Sequence, residues 1–215
     1  MEQSSKKNYV HNEQLLHRLQ ILTDGIFVLT MTLMILQFDP PDLNQQMTNR
    51  EIQNFLFAQF PALGIYIISF LLVAFYWVAH LERFQHYQRT EQPHIWLQLL
   101  SLMFLVLVPY SNELSTLYTL NFPVQVFCSL NLFLVGIFSY CSWTYATHNH
   151  RLVAADLDSG FINSLKKKNL IEPLVSLLAI IPASINPSFW GLTFLLIPIA
   201  YIYLEKSDRQ TASNN

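Results

Sequence analysis

Charged residues are scarce in this chain. They make up 12% of its 215 residues, about half the share usual in a soluble domain, while hydrophobic residues make up 52%. That balance excludes an ordinary soluble domain and points to a membrane protein. Cysteine is scarcer still. Cys128 and Cys141 lie in one apolar run, read as a single straight helix, and cannot reach each other there. No paired Cys or Cys/His spacing is present, so neither a metal nor another cofactor is expected. The lone H-x-H of His148 and His150 falls in a polar loop and reads as a solvated pair. A membrane hydrolase needs a nucleophile with its base, or clustered metal ligands, at membrane depth, and the sequence offers neither. The net charge of -2 gives no reason to expect nucleic acid as a partner. The first fifteen residues lack the apolar core of a signal peptide, so no cleavage is expected.

What the chain has is apolar runs. Six are read as spans, at about 16–38, 52–80, 94–110, 123–146, 170–185 and 188–203, in a single all-α membrane domain over residues 1–215. Pro40 and Pro41 end the first run. Pro61 and Gly64 interrupt the second without having to end it, because neighbouring helices can satisfy a freed carbonyl. The third run ends near Pro109. Asn186 and Pro187 make a tight turn between the last two, which read as a helical hairpin, with a re-entrant pair as the alternative. Eleven basic residues fall on one side of this arrangement: Lys6, Lys7, Arg18, Arg83, Arg89, Arg151, Lys166, Lys167, Lys168, Lys206 and Arg209. Only Arg50 falls on the other. The asymmetry places both termini in the cytoplasm. Lys166, Lys167 and Lys168 read as anchors for a helix end near anionic lipid.

The first span, Arg18 to Phe38, carries one base, Arg18, and one acid, Asp24, and beyond Asp24 it has no charge before Asp39. On a helix, Gly25, Leu29, Thr32, Leu33 and Leu36 share one face within roughly a third of the circumference. Thr23 and Asp24 lie on another. An acid facing lipid costs at least about 2.5 kcal/mol, so Asp24 must face protein or water. It is either a functional group or a pin between helices. The leucine stripe reads either as ordinary helix packing or as the lining of a path. No TVGYG-like segment supplies a filter of stacked carbonyls, and no helix repeats arginines to sense voltage. One stripe cannot enclose a pore, but copies around an axis can.

Arg18, Leu22, Thr23, Asp24, Gly25, Thr32, Leu33 and Leu36 resemble the first-span signature of the endosomal and lysosomal potassium channel family, transmembrane protein 175, and its six-span prokaryotic relatives. That signature runs R-x-x-x-F-S-D, then a small or apolar start and a T-L-x-x-L end. The family's W-x-x-H on the second span is matched by Trp77 and His80, and its W-L-N by Trp96, Leu97 and Gln98. A later apolar-Pro-aromatic corner is matched by Val108, Pro109 and Tyr110. Leu22, Thr23 and Gln98 depart from the usual Phe, Ser and Asn, so a hydroxyl is kept and an aromatic ring is lost. The resemblance covers roughly the first 115 residues well, and the last three spans only in number and length.

The resemblance implies a homotetrameric, potassium-permeable cation channel in a bacterial inner membrane, its pore lined by the four first spans. Leu29, Leu33 and Leu36 would form an apolar constriction and Thr32 would supply the hydroxyl associated with potassium preference. Arg18, Thr23, Asp24, Trp77 and His80 would form a polar clasp between the first and second spans. Asp39 and Asp42 follow the first span, where a ring of carboxylates would gather cations at the outer mouth, unless they are plain loop residues beside two prolines. The alternative function is a proton-leaking or proton-coupled carrier that uses Asp24 and His80. A soluble partner for the loop from Thr147 to Asn169 is not readable from the sequence.

Overall fold

The computed structural model describes residues 2–38, 47–118 and 120–213. Their helices are α1 (Glu2–Leu33), α2 (Asn49–Ala58), α3 (Phe60–Phe84), α4 (Gln92–Val106), α5 (Val108–Leu117), α6 (Phe122–Thr147), α7 (Ser159–Leu178), α8 (Ile180–Ile185), α9 (Trp190–Thr193) and α10 (Leu196–Ser213). A 3-10 turn, Met34–Gln37, continues α1. Among the described residues six segments are long and apolar enough to cross a membrane: Asn12–Leu36, Phe60–Phe84, Gln92–Leu117, Phe122–His150, Ser159–Ile185 and Pro187–Leu204.

Proline placement sets the joints. Pro61, Pro93, Pro109 and Pro123 each sit in the first turn of their helix, where the missing N–H costs nothing and the fixed φ suits the start of a turn. The expected single run from Ile52 to His80 is therefore two helices. The first, α2, is opened by a reciprocal cap in which Thr48 N donates to Glu51 Oε2 at 2.7 Å and Glu51 N donates to Thr48 Oγ1 at 3.4 Å, and it buries no residue. For the same reason Pro109 does not end the third span, because it starts α5 and the apolar path runs on to Leu117. The fifth span also starts earlier than expected. Asp158 caps α7 by accepting from Phe161 N at 2.8 Å, so Lys166, Lys167 and Lys168 lie within the helix, with Lys168 3.5 Å from Glu82.

The helix α6 is central, between α4 on one side and α7 on the other. Inside a bilayer, lipid is as apolar as leucine, so close packing and hydrogen bonds hold spans together. Gly136 shows the first. A Cβ there would come within 2.7 Å of Pro173 Cδ, so only glycine lets α6 meet the proline inside α7. The hydrogen bonds include Gln98 Nε2 to Ser142 Oγ at 2.8 Å, Ser101 Oγ to the Val135 carbonyl at 2.8 Å and Tyr76 OH to the Leu132 carbonyl at 3.1 Å. Bonds of this kind contribute about 0.6 kcal/mol each on average.

At the end of the bundle nearer the termini, two connections pair. Gln88 N donates to the Leu152 carbonyl at 2.9 Å, Tyr87 bridges Val153, and Arg151 is ion-paired with Glu91. Beneath them Leu19, Phe84, Tyr87, Trp143, Leu152 and Leu165 form a second core. The connection after α6 is thus a folded element, turned at Asn149 and His150, both at positive φ. His150 Nε2 lies 3.1 Å from the Leu157 carbonyl, and no group of three or more candidate metal ligands occurs among the described residues.

Candidate functional site

The first span divides cleanly by burial. Leu19, Thr23, Phe27, Thr30 and Met34, spaced by three or four residues, are each 5% exposed or less and face the bundle. On the other side Leu29 is 51% exposed and Leu36 71%, with Gly25 and Thr32 exposed and Leu33 half-buried. The leucine stripe is therefore not core packing within the protomer. Val28 and Ile35, also exposed, widen the uncovered face. Thr32 Oγ1 donates to the carbonyl of Val28 and contacts that of Leu29 at 3.3 Å. Its proton is spent on its own helix, which leaves the oxygen's lone pairs as acceptors.

The polar residues of the first two spans are only partly joined. Trp77 Nε1 donates to Asp24 Oδ1 at 3.2 Å, so the half-buried acid has a donor on α3. Thr23 Oγ1 donates to the Leu19 carbonyl at 2.7 Å and so belongs to its own helix. His80 is 2% exposed, its ring 5.4 Å from that of Phe27 and 4.0 Å from that of Phe84. It meets α1 through an aromatic face, and its Nε2 has no hydrogen-bond partner among the described residues. Arg18 is exposed. Asp39 and Asp42 lie outside the described residues.

One charged cluster was not anticipated from the sequence. Arg83, 2% exposed, donates from Nη1 to Asn169 Oδ1 at 2.7 Å. One helical turn along α7, Glu172 is 1% exposed and accepts from Tyr201 OH at 3.0 Å. Arg83 and Glu172 thus set opposite charges within one buried region that joins α3, α7 and α10. Glu172 could have been found by the argument used for Asp24, since it is the one acid in the apolar run 170–185.

Comparison with known proteins finds one family match and several relatives. Residues 18–109 match the family described as endosomal/lysosomal potassium channel TMEM175. A potassium channel of Streptomyces collinus is 30% identical over 101 residues, which are 47% of this chain and 48% of that one. A potassium channel of Chamaesiphon minutus is 25% identical over 165 residues, covering 75% of this chain and 81% of the relative. The rat endosomal/lysosomal proton channel TMEM175 is 22% identical over 199 residues, 91% of this chain but 39% of its own length. The chain thus spans about half the length of the Streptomyces relative and less of the rat one. The crystal structure of a lysosomal potassium-selective channel TMEM175 homolog from Chamaesiphon minutus superposes with a TM-score of 0.71 at 19% identity, over 91% of this chain and 98% of that one. That likeness is one of fold. These relatives are named as channels and not as enzymes. With its signature span, its Trp77 and His80 pair and six apolar spans, the chain resembles the endosomal/lysosomal potassium channel family TMEM175 over residues 18–109 and shares the fold of a solved TMEM175 homolog.

Proposed function

We propose that the chain is one protomer of a homotetrameric, potassium-permeable channel of a bacterial inner membrane, its pore lined by four copies of α1. The observation that carries this reading is the uncovered face of α1, where Leu29, Thr32 and Leu36 are exposed and Leu33 is half-buried within their own protomer. Packed around a shared axis, the leucines form the constriction. An apolar ring strips water from a cation without replacing it, so it serves as a gate when narrow. Thr32, with its proton held by the Val28 carbonyl, turns an acceptor oxygen toward the axis and favours potassium there. The names of the two bacterial relatives support potassium as the permeating ion.

The Asp24 and Trp77 bond, with the His80 ring against Phe27, sets the rotation of α1 on α3 and so the direction of the leucine face. Arg18, exposed, and Thr23, bonded within α1, complete the polar end of the pore helix. The excess of basic residues on the side of the termini supports a cytoplasmic position for both. A relay from Asp24 to His80 gains no support, because Asp24 bonds Trp77 and His80 lies between two phenylalanines.

The test is potassium flux in liposomes loaded with a potassium gradient, for the native chain and for Leu29→Ala. Native protein should conduct, and truncation should raise flux or weaken selectivity. Equal, negligible flux in both removes the channel reading.

A further inference from the structure

At the end of the bundle away from the termini, the starts of α3 and α6, the end of α5 and the α9 segment enclose a cavity of about 240 Å³. Its walls are apolar, formed by Ile65, Ile68, Trp190 and Leu192 among others, and no ionisable side chain lines it among the described residues. Its floor is polar. Ser69, Ser115 and Gln125 reach it, each 5% exposed or less, and Ser115 Oγ donates to Gln125 Oε1 at 3.3 Å. Directly behind, Ser69 Oγ donates to Asn112 Oδ1 at 2.9 Å, and Asn112 Nδ2, in a side chain 3% exposed, has no hydrogen-bond partner among the described residues.

The walls are held in place and the space is real. Trp190 is 7% exposed and donates from Nε1 to Ser129 Oγ at 2.8 Å, which fixes its indole as one side. Two glycines line the opening. A Cβ on Gly64 would meet nothing within 4 Å, and one on Gly191 would meet only Ile68 Cδ1, at 4.0 Å. Neither glycine is needed for close approach of helices, in contrast to Gly136. Both leave room.

We propose that this cavity is a binding site for a small uncharged amphiphile taken from the bilayer, its apolar body against Trp190 and Ile68 and its hydroxyl or amide head among Ser69, Ser115 and Gln125. Apolar walls disfavour filling by water alone, and a few convergent polar groups are what orients a ligand in such a pocket. With only neutral hydroxyls and amides on the floor, a charged headgroup would be desolvated without a counter-charge, which excludes ionised ligands. The mouth, between Pro61 and Gly64 on α3, Ser188 just before α9 and Leu192 on α9, lies near the ends of two spans, where an amphiphile dissolved in lipid resides.

The site is independent of the pore and is tested without measuring flux. The full chain in lipid nanodiscs is photolabelled with a diazirine analogue of n-octanol, and labelled residues are located by mass spectrometry. Labelling of residues 61–69 and 187–192 should saturate, and n-octanol should displace it while octanoate at pH 8 does not. Gly64→Leu and, separately, Gly191→Val should each cut saturable labelling about tenfold or more with unchanged elution of the protein. Ser69→Ala should weaken octanol while leaving n-octane, a far weaker competitor, unaffected. Labelling that does not saturate, or survives both glycine substitutions, overturns the proposal. Equal competition by n-octane and n-octanol also overturns it, because an acyl chain and not a neutral polar head would then fill the space.

Discussion

Trp77 Nε1 lies 3.2 Å from Asp24 Oδ1 and is the hydrogen-bond donor that the second span gives to the acid of the first. A half-buried carboxylate stripped of its donor keeps its desolvation penalty. Trp77→Phe, which keeps an aromatic body and loses the N–H, should therefore destabilise the protein by about 1–3 kcal/mol. Thermal unfolding in detergent checks this. In an Asp24→Asn background the same substitution should cost less, because no charge is then left unpaired, and the double-mutant cycle measures the difference.

Gly136 should tolerate nothing larger. Pro173 Cδ stands 2.7 Å from where a Cβ would be, and a proline ring cannot swing away as a flexible side chain can. Gly136→Ala should cost about 1–3 kcal/mol through overpacking, and Gly136→Leu should abolish a monodisperse elution peak. Gly64→Ala, with open space around it, should unfold at or above the native temperature.

The cluster of Arg83, Asn169, Glu172 and Tyr201 gives a stronger prediction. Arg83→Met removes the bond to Asn169 and the positive charge nearest the buried Glu172, and should destabilise by about 1.5–3 kcal/mol. The double variant Arg83→Met with Glu172→Leu should recover part of that loss. Tyr201→Phe alone, which removes the hydrogen bond to Glu172, should cost less than Arg83→Met. Unfolding curves of the four variants, run side by side, separate these outcomes.

The cap of α2 should be sensitive to pH. The Thr48 backbone N–H, followed by its hydroxyl, holds the Glu51 carboxyl below its ordinary value, so the cap contributes stability fully above the ordinary value of 4.5 and loses it as pH falls through the lowered one. Amide exchange at Thr48 and Glu51, corrected for intrinsic rates, should be protected at pH 7 and lose that protection as pH is lowered below 4.5, and Glu51→Ala should remove the pH dependence.

Much of this was legible in the residues. The first span, its leucine stripe and the lone Asp24 follow from hydropathy and helical period, while Trp77 entered the clasp only through the W-x-x-H that the resemblance supplied. Helix starts were harder. Pro61 and Pro109 read as a kink and an end, but each begins a helix, because a proline is as welcome in a first turn as it is costly in the middle and sequence alone does not say which turn it occupies. The Thr147 to Asn169 stretch read as a loop because its polar residues hid the Asp158 cap and the early start of α7. Glu172 needed only the rule applied to Asp24. Arg83 did not stand out, because an arginine at a span end reads as a lipid anchor until the fold brings Asn169 to it. The direction of His80, toward Phe27 and Phe84, depends on helix rotation that no local pattern encodes.

The most direct test of the central claim is the structure of the assembled protein in a lipid nanodisc by electron cryomicroscopy. Four chains around one axis, with Leu29, Leu33 and Leu36 of every α1 nearest that axis and Thr32 beside them, is the expected result. An assembly in which those side chains face lipid while another span borders the conduction path would contradict it.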